Sequence, residues 1–330
     1  MAFTAAVVGL GNMGQGFDYD CPDPSRILTH AAAFHYHSGF ELVGGVDPDA
    51  AARQRFSAKF GKAAFASVQE LWSAVSPDVV ALCVPTPLHS RVFHEIVAHG
   101  PKGIICEKPL AVAQAEGEAM VAAAAAAGSI LVVNYIRRFE PGVLELRRRI
   151  SSGEFGTFYK GVQWYSKGIL TNGSHFVDLL SFLFGPATRI QILQRGRAYS
   201  DFDCEPDALV RFGDVTICFL AAREECFSMR DLYLISDKGE VYCATSGEVI
   251  EWRSKRPHPI VPGYAILAEV PERIQTDMRR YQWHVAQALL DALTTGTVAC
   301  STGLTALRTM ATVQQLMTHP VIEASECLLS

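Results

Sequence analysis

The chain has 330 residues, room for about two domains that bury roughly three quarters of the surface exposed on unfolding. Its hydrophobic fraction of 49%, charged fraction of 19% and net charge of −5 describe a globular protein without the basic surface that nucleic-acid phosphates demand. The triplet Arg147-Arg148-Arg149 is too short to alter that and reads as solvated charge at a helix end. The longest apolar stretch, residues 119–133, is interrupted by Gly128 and Ser129 and falls short of a membrane span. No basic leader stands in Met1-Ala2-Phe3-Thr4, and none of the nine cysteines form a C-x-x-C pair. The expectation is a cytoplasmic protein with free thiols, no metal site, and no membrane or nucleic-acid partner.

Residues 4–9 are a short β-branched run ending in Gly9 and read as a first strand. A second follows at 41–47, then a helix at 49–60 that Gly61 stops. Ser67 and Glu70 form a capping box that opens another helix. Residues 78–84 read as a buried strand, followed by Pro85-Thr86-Pro87 and a helix through Ala98. The next strand is 103–106, which the chain leaves through Glu107-Lys108-Pro109. An Ala-rich helix at 111–127 and a strand at 130–133 complete the alternation. Such alternation implies a parallel sheet with helices on both faces, a Rossmann domain over residues 1–133. Ligands of these sheets gather at the strand C-terminal ends, where Gly9, Asp47, Pro85 and Lys108 all fall.

Directly after the first strand, Gly9-Leu10-Gly11-Asn12-Met13-Gly14 has the spacing of a dinucleotide loop. Gly9 allows the tight turn, Gly11 lets the backbone approach a pyrophosphate, and Gly14 lets the helix pack on the strand. Asp47 ends the second strand, where an acid accepts from the adenosine ribose hydroxyls and repels a 2′-phosphate, favouring NAD over NADP. The interval from the glycines to Asp47 exceeds the usual ~20 residues. The surplus, residues 17–25, is rich in proline and acid, so the helix resumes at about 25–34. This insertion is either a substrate-touching element or a surface loop.

Residues 134–330 read as an α+β domain for substrate binding and oligomerisation. Its strands fall near 157–166, 189–199, 208–212, 215–221, 232–235 and 241–243, in an open-faced, largely antiparallel sheet. Helices at 276–292 and 303–317 complete it. One sheet face would cover the cleft and the other, if apolar, would take a partner subunit in a homo-oligomer.

The motifs as a set resemble those of the Gfo/Idh/MocA oxidoreductases. Beside the glycine loop they are Pro85-Thr86-Pro87-Leu88-His89, Glu107-Lys108-Pro109 and Arg137-Arg138-Phe139-Glu140-Pro141, then Ser152-Gly153-Glu154-Phe155-Gly156 and Gly173-Ser174-His175-Phe176-Val177-Asp178. The resemblance implies a nicotinamide cofactor across the first domain and a sugar or cyclitol ring between it and the second sheet. Lys108 matches the lysine of the family's Glu-Lys-Pro motif. His175 matches the histidine that in many members exchanges a proton with the reacting hydroxyl. Many dehydrogenases of the family carry an aspartate four residues before it, where this chain has Thr171. The run Asn172-Gly173-Ser174-His175 is similar to that of members acting on nucleotide-linked sugars.

The expected catalytic residues are therefore Lys108 and His175. Cofactor contacts are expected from Gly9, Gly11, Asn12, Met13, Gly14, Asp47, Pro85, Thr86, His89 and Glu107, and substrate contacts from Tyr135, Arg137 and Asn172. Alternatives stand beside several of these. His175 is either a proton acceptor or a core histidine among Phe176, Leu179, Leu180 and Phe182; His89 either touches cofactor or caps its helix. Tyr135 and Arg137, with Arg138, hold an anionic substrate group or form an ion pair at a domain interface. At the level of the protein, the leading reading is hydride transfer on a nucleotide-linked sugar. A free sugar or inositol dehydrogenase is the second, and a non-catalytic dinucleotide or sugar sensor on the same fold the third.

Overall fold

Phe3–Val8 (β1) carries four consecutive buried residues, which only a strand covered on both faces can accommodate. It lies inside a six-stranded sheet with Phe40–Val46 (β2), Ala63–Phe65 (β3), Val79–Leu82 (β4), Gly103–Cys106 (β5) and Ile130–Val133 (β6). The order is β3-β2-β1-β4-β5-β6, and every neighbouring pair is parallel. The winding direction reverses between β1 and β4, which leaves a crevice at their C-terminal ends. This computed structural model describes residues 2–21, 25–298 and 300–321.

The helices of this sheet are His30–Tyr36 (α1), Ala50–Phe60 (α2), Val68–Ala74 (α3), His89–Val97 (α4) and Gln114–Ala127 (α5). Ser67 Oγ accepts the Glu70 N–H at 3.2 Å, the half of the capping box that caps the helix, while Glu70 Oε2 reaches one residue further back and accepts the Ala66 N–H at 2.9 Å. The helix expected at about 25–34 begins later, at His30. Asp18, only 2% exposed, explains the delay. Its carboxylate accepts the backbone N–H groups of Leu28 (2.7 Å) and Thr29 (3.0 Å) and the Thr29 hydroxyl (2.7 Å). Those donors are thereby held outside a helix, and Thr29 caps the one that follows. Residues 22–24 of the insertion lie outside the described residues. The glycine loop itself leads into a single wide helical turn, Asn12–Gly16, rather than a long helix.

The chain divides into two units, Met1–Phe139 with Arg279–Leu307, and Glu140–Met278 with the residues from Arg308 on. The boundary read at residue 133 thus misses a return of the chain: Tyr281–Thr295 (α8) packs with the first unit. Leu289 of α8 comes so close to β5 that a β-carbon on Gly103 would lie 2.9 Å from it. Val285, Ala286 and Leu289 share one core with Val7, Ile105 and Val132.

The second unit holds Pro141–Ser151 (α6), Phe158–Tyr165 (β7), Ser174–Phe184 (α7) and a nine-stranded sheet that includes β7. The other strands are Ala187–Gln194 (β8), Asp207–Phe212 (β11), Val215–Ala221 (β12), Leu232–Ser236 (β13), Gly239–Ala244 (β14), Val249–Pro257 (β15), Ala265–Leu267 (β16) and Glu272–Ile274 (β17). Ala198–Ser200 (β9) and Asp203–Cys204 (β10) form a separate hairpin. The sheet is antiparallel except where β12 runs parallel to β7. One strand expected at 189–199 is in fact β8 and β9, broken at Gly196, whose φ of +69° suits glycine. Strand β15, missed in the sequence, is masked by its charged half, Arg253 to Arg256. Along β12 and β13 buried and half-buried residues alternate, so the sheet has one inner face and one open face. Gly303–Thr318 (α9) completes the chain's helices among the described residues. None of these helices is long and apolar enough to cross a membrane.

Candidate active site

The loop after β1 is shaped by three different steric demands. Gly9 sits at φ +95°, and a β-carbon there would lie 2.6 Å from the Cys83 carbonyl carbon. On Gly14 it would lie 2.0 Å from the Gly9 carbonyl oxygen, whereas on Gly11 it would meet nothing within 4 Å. Gly9 and Gly14 therefore close the loop tightly on itself, and Gly11 turns a bare backbone toward open space. That open space is a cavity of about 720 Å³ lined by Gly9, Gly11, Asn12, Met13, Asp47 and Pro85. A bare backbone approach beside a cavity of this size fits a dinucleotide pyrophosphate.

Asp47 follows β2 at the cavity wall. Its Oδ2 accepts the Leu10 N–H and its Oδ1 the Asp49 N–H, each at 2.8 Å, so the carboxylate is fixed to the glycine loop. Arg53 does not stand free on its helix but donates from Nη1 to the Asp47 and Pro48 carbonyls, both at 2.8 Å. Sequence reasoning missed the far wall of the cavity, where Ser67, Arg91 and Glu95 join Cys83, Val84 and Leu88. Ser67 was visible as a helix cap, but nothing in its spacing marked it as cavity-lining.

Thr86 opens the short helical turn before α4. His89 is only 1% exposed and turned inward, its Nδ1 facing the Pro109 oxygen at 3.0 Å and its Nε2 facing the Val84 oxygen at 2.9 Å. Burial pulls the ring's pKa down, against the pull of those carbonyls. His89 thus ties the loop after β4 to the turn that carries Lys108. Glu107 also points inward, where its Oε1 lies 2.8 Å from His30 Nε2 and accepts from Asn134 Nδ2 at 2.6 Å. Lys108, next in the chain, is half-buried, with a cis peptide to Pro109.

After β6 the chain makes a short turn, Ile136–Arg138. Tyr135 is 1% exposed and Arg137 5% exposed. Arg138 Nη1 donates to the Cys300 carbonyl at 3.1 Å and the Cys300 thiol donates back to the Arg138 carbonyl at 2.9 Å, inside the first unit.

In the second unit a wide turn, Gly168–Gly173, leads directly into α7 and so sets His175 in that helix's first turn. A buried carboxylate shapes the turn. Asp203, 3% exposed, accepts the Leu170 N–H on Oδ1 (2.9 Å) and the Thr171 N–H on Oδ2 (2.8 Å). Asn172 donates from Nδ2 to the Ser166 carbonyl at 2.9 Å. Asp178, one turn beyond His175, accepts the Thr309 hydroxyl at 3.0 Å. The first unit therefore gathers the glycine loop, Asp47 and the Lys108 turn along one sheet edge, and the second presents Thr171, Asn172 and His175 from one turn.

Residues 3–135 match the model of an oxidoreductase family with an NAD-binding Rossmann fold, Gfo/Idh/MocA. The likeness lies in the first domain, which has the strand order of that family's NAD-binding fold. An oxidoreductase subunit of Amycolatopsis mediterranei named for UDP-kanosamine synthase is 30% identical over 210 residues, 58% of this chain and 55% of that one. An inositol 2-dehydrogenase of Rhizobium meliloti is 27% identical over 128 residues, covering 39% of this chain and 38% of its own. The chain thus spans about half or less of the length of these curated relatives. Among solved structures, the WlbA dehydrogenase of Bordetella pertussis, in complex with NADH and UDP-GlcNAcA, superposes with a TM-score of 0.74. The match covers 96% of this chain and 94% of WlbA at 19% identity, so it speaks for a common fold alone.

Proposed function

We propose that this protein is an NAD-dependent oxidoreductase that transfers a hydride between nicotinamide and a ring hydroxyl or ketone of a sugar linked to a nucleotide. The observation that carries the reading is the cavity bordered by Gly11 and Asp47, at the same sheet edge where β5 delivers Lys108. Gly9, Gly11, Asn12, Met13 and Gly14 would hold the pyrophosphate, and Asp47 the adenosine ribose, with NAD preferred because a carboxylate repels a 2′-phosphate. When bound, the nicotinamide supplies or takes up the hydride. The protein's own task is to orient the ring and manage one proton, at the Lys108 ammonium and the His175 imidazole. Tyr135, Arg137 and Asn172 are proposed to meet the substrate. The nucleotide-linked sugar is supported by the run Asn172 to His175 and by the UDP-linked names among its relatives. Similarity to an inositol 2-dehydrogenase keeps a free polyol as the second substrate class.

The test is mass spectrometry of ligands retained by the purified protein, followed by hydride-transfer assays with NAD on UDP- and TDP-sugars, free sugars and inositols. Turnover is expected on a nucleotide sugar, and Lys108→Ala is expected to lower kcat by about 100-fold or more. Normal turnover by that variant on a verified substrate would remove Lys108 from the mechanism. A retained dinucleotide with no turnover on any class would point to a sensor instead.

A further inference from the structure

The cavity beside the glycine loop, at about 720 Å³, has room for more than a pyrophosphate and is of the size that takes a whole nucleoside. Its lining tells which half of a dinucleotide enters. Gly11 and Asp47 line it, whereas none of Glu107, Lys108 and Pro109 is among its described lining residues. With the pyrophosphate at Gly11 and a ribose at Asp47, the nicotinamide leaves toward the Lys108 turn and the adenine stays in the cavity, beyond Asp47.

There one helix face forms the wall. Leu88, just before α4, and Arg91, Val92 and Glu95 within it are spaced i, i+3, i+4 and i+7, the spacing of a single stripe, and all four line the cavity. Leu88 and Val92, with Pro48 and Val68, give it the apolar lining that a flat base requires. Arg91 and Glu95 bring charge to the same place. Both are exposed, and neither makes a hydrogen bond or ion pair with another described residue, although at i and i+4 they stand where they could pair with each other. Arg53 is occupied by the Asp47 and Pro48 carbonyls, and Arg91 is the one cation among the described lining residues.

We propose that Arg91 and Glu95 read the base of the cofactor: the Arg91 guanidinium stacks on the adenine ring, and the Glu95 carboxylate accepts from its N6 amino group. The inference rests on the reading of this cavity as a dinucleotide site. Every purine has a π face that a guanidinium plane can cover, whatever its edge carries. The edge is what differs. Adenine presents an amino donor on its six-membered ring where hypoxanthine presents a carbonyl acceptor. An ionised carboxylate only accepts, so it bonds the first and repels the second. Arg91 therefore adds affinity for any purine dinucleotide, while Glu95 selects the one that carries adenine. Neither touches the reacting atoms, so both act on cofactor binding and not on the hydride step.

The test is fluorescence titration of the full chain with NADH and with reduced nicotinamide hypoxanthine dinucleotide. The unaltered protein is expected to bind NADH about tenfold or more tightly, the effect of one hydrogen bond to a charged group. Glu95→Gln, whose amide can donate to the hypoxanthine carbonyl, is expected to bring the two within about threefold. Arg91→Ala is expected to weaken both by about tenfold and to leave their ratio unchanged. Because both side chains are exposed on a helix surface, the two variants should melt with the unaltered protein. Equal affinity of the unaltered protein for the two dinucleotides, or a ratio that survives Glu95→Gln, overturns the role of Glu95. Unchanged binding by Arg91→Ala overturns that of Arg91. In each of those cases NADH still binds and the proposed function stands; a protein that binds neither dinucleotide removes that reading, and the base-reading pair with it.

Discussion

At the scale of single residues, charge and backbone freedom do different work along the same sheet edge. The glycines matter for what they leave out, since a β-carbon on Gly9 or Gly14 would collide with backbone that has nowhere to go. Asp47 matters for where its charge is pinned. With both oxygens already anchored to backbone N–H groups, it cannot swing away from a cofactor ribose. NADH is therefore expected to bind about tenfold or more tightly than NADPH, and Asp47→Asn to narrow that ratio, as read by fluorescence titration of both. Equal affinities in the unaltered protein would remove the role given to Asp47. Glu107 shows the limit of reading residues one at a time. An acid at a strand end beside a lysine suggests a cofactor contact, but its partner His30 lies 77 positions away, and only folding reveals that the side chain turns inward.

Elements are held by a few side chains that satisfy backbone groups at their ends. Asp18 fixes the start of α1 by taking three donors from Leu28 and Thr29. Asp18→Ala leaves those donors without their acceptor and should lower stability by about 1–3 kcal/mol in chemical denaturation. Faster hydrogen exchange confined to the Leu28 and Thr29 amides would mark the site, and unchanged exchange there would refute the assignment. Asp78 plays a similar part for the sheet, accepting the Thr4 N–H and hydroxyl at the start of β1 and pairing with Lys102 before β5. Burial pushes its carboxyl up, but the hydrogen bonds from Lys102 and Thr4 outweigh this and hold it below its ordinary 3.8. A carboxyl lowered in the folded state contributes stability above its unfolded value, and that contribution is lost as pH falls through the folded one. Asp78→Asn should thus lower the urea midpoint at pH 7, and the difference should shrink as the pH is taken below about 4. A difference independent of pH would show that the charge is not responsible. Element boundaries were legible where caps are local, as at Ser67 and Gly61. They were not legible where the controlling group is distant, as with Asp18 and α1.

For the whole molecule, the open face of the second sheet offers the clearest expectation. Leu209, Cys218, Val162, Tyr233 and Tyr242 lie side by side across five strands, all only half-buried, with the two tyrosine rings stacked at 4.5 Å. An apolar row on an open sheet face suits a second copy of the same surface. Tyr233→Lys should shift the light-scattering mass toward the monomer, and a monomeric unaltered protein would dismiss the homo-oligomer. The sequence by itself determined the parallel sheet, the glycine loop, Asp47 and the strand that ends on Lys108, because each depends on neighbours within a few positions: periodicity, turn glycines and a proline. Tertiary structure alone decided that α8 returns to the first unit, that Asp203 shapes the turn before His175, and that His30, Glu107, Asn134 and Gln282 meet. Those outcomes depend on which buried polar groups find one another across long loops, a choice set by packing and by the cost of leaving any of them unsatisfied.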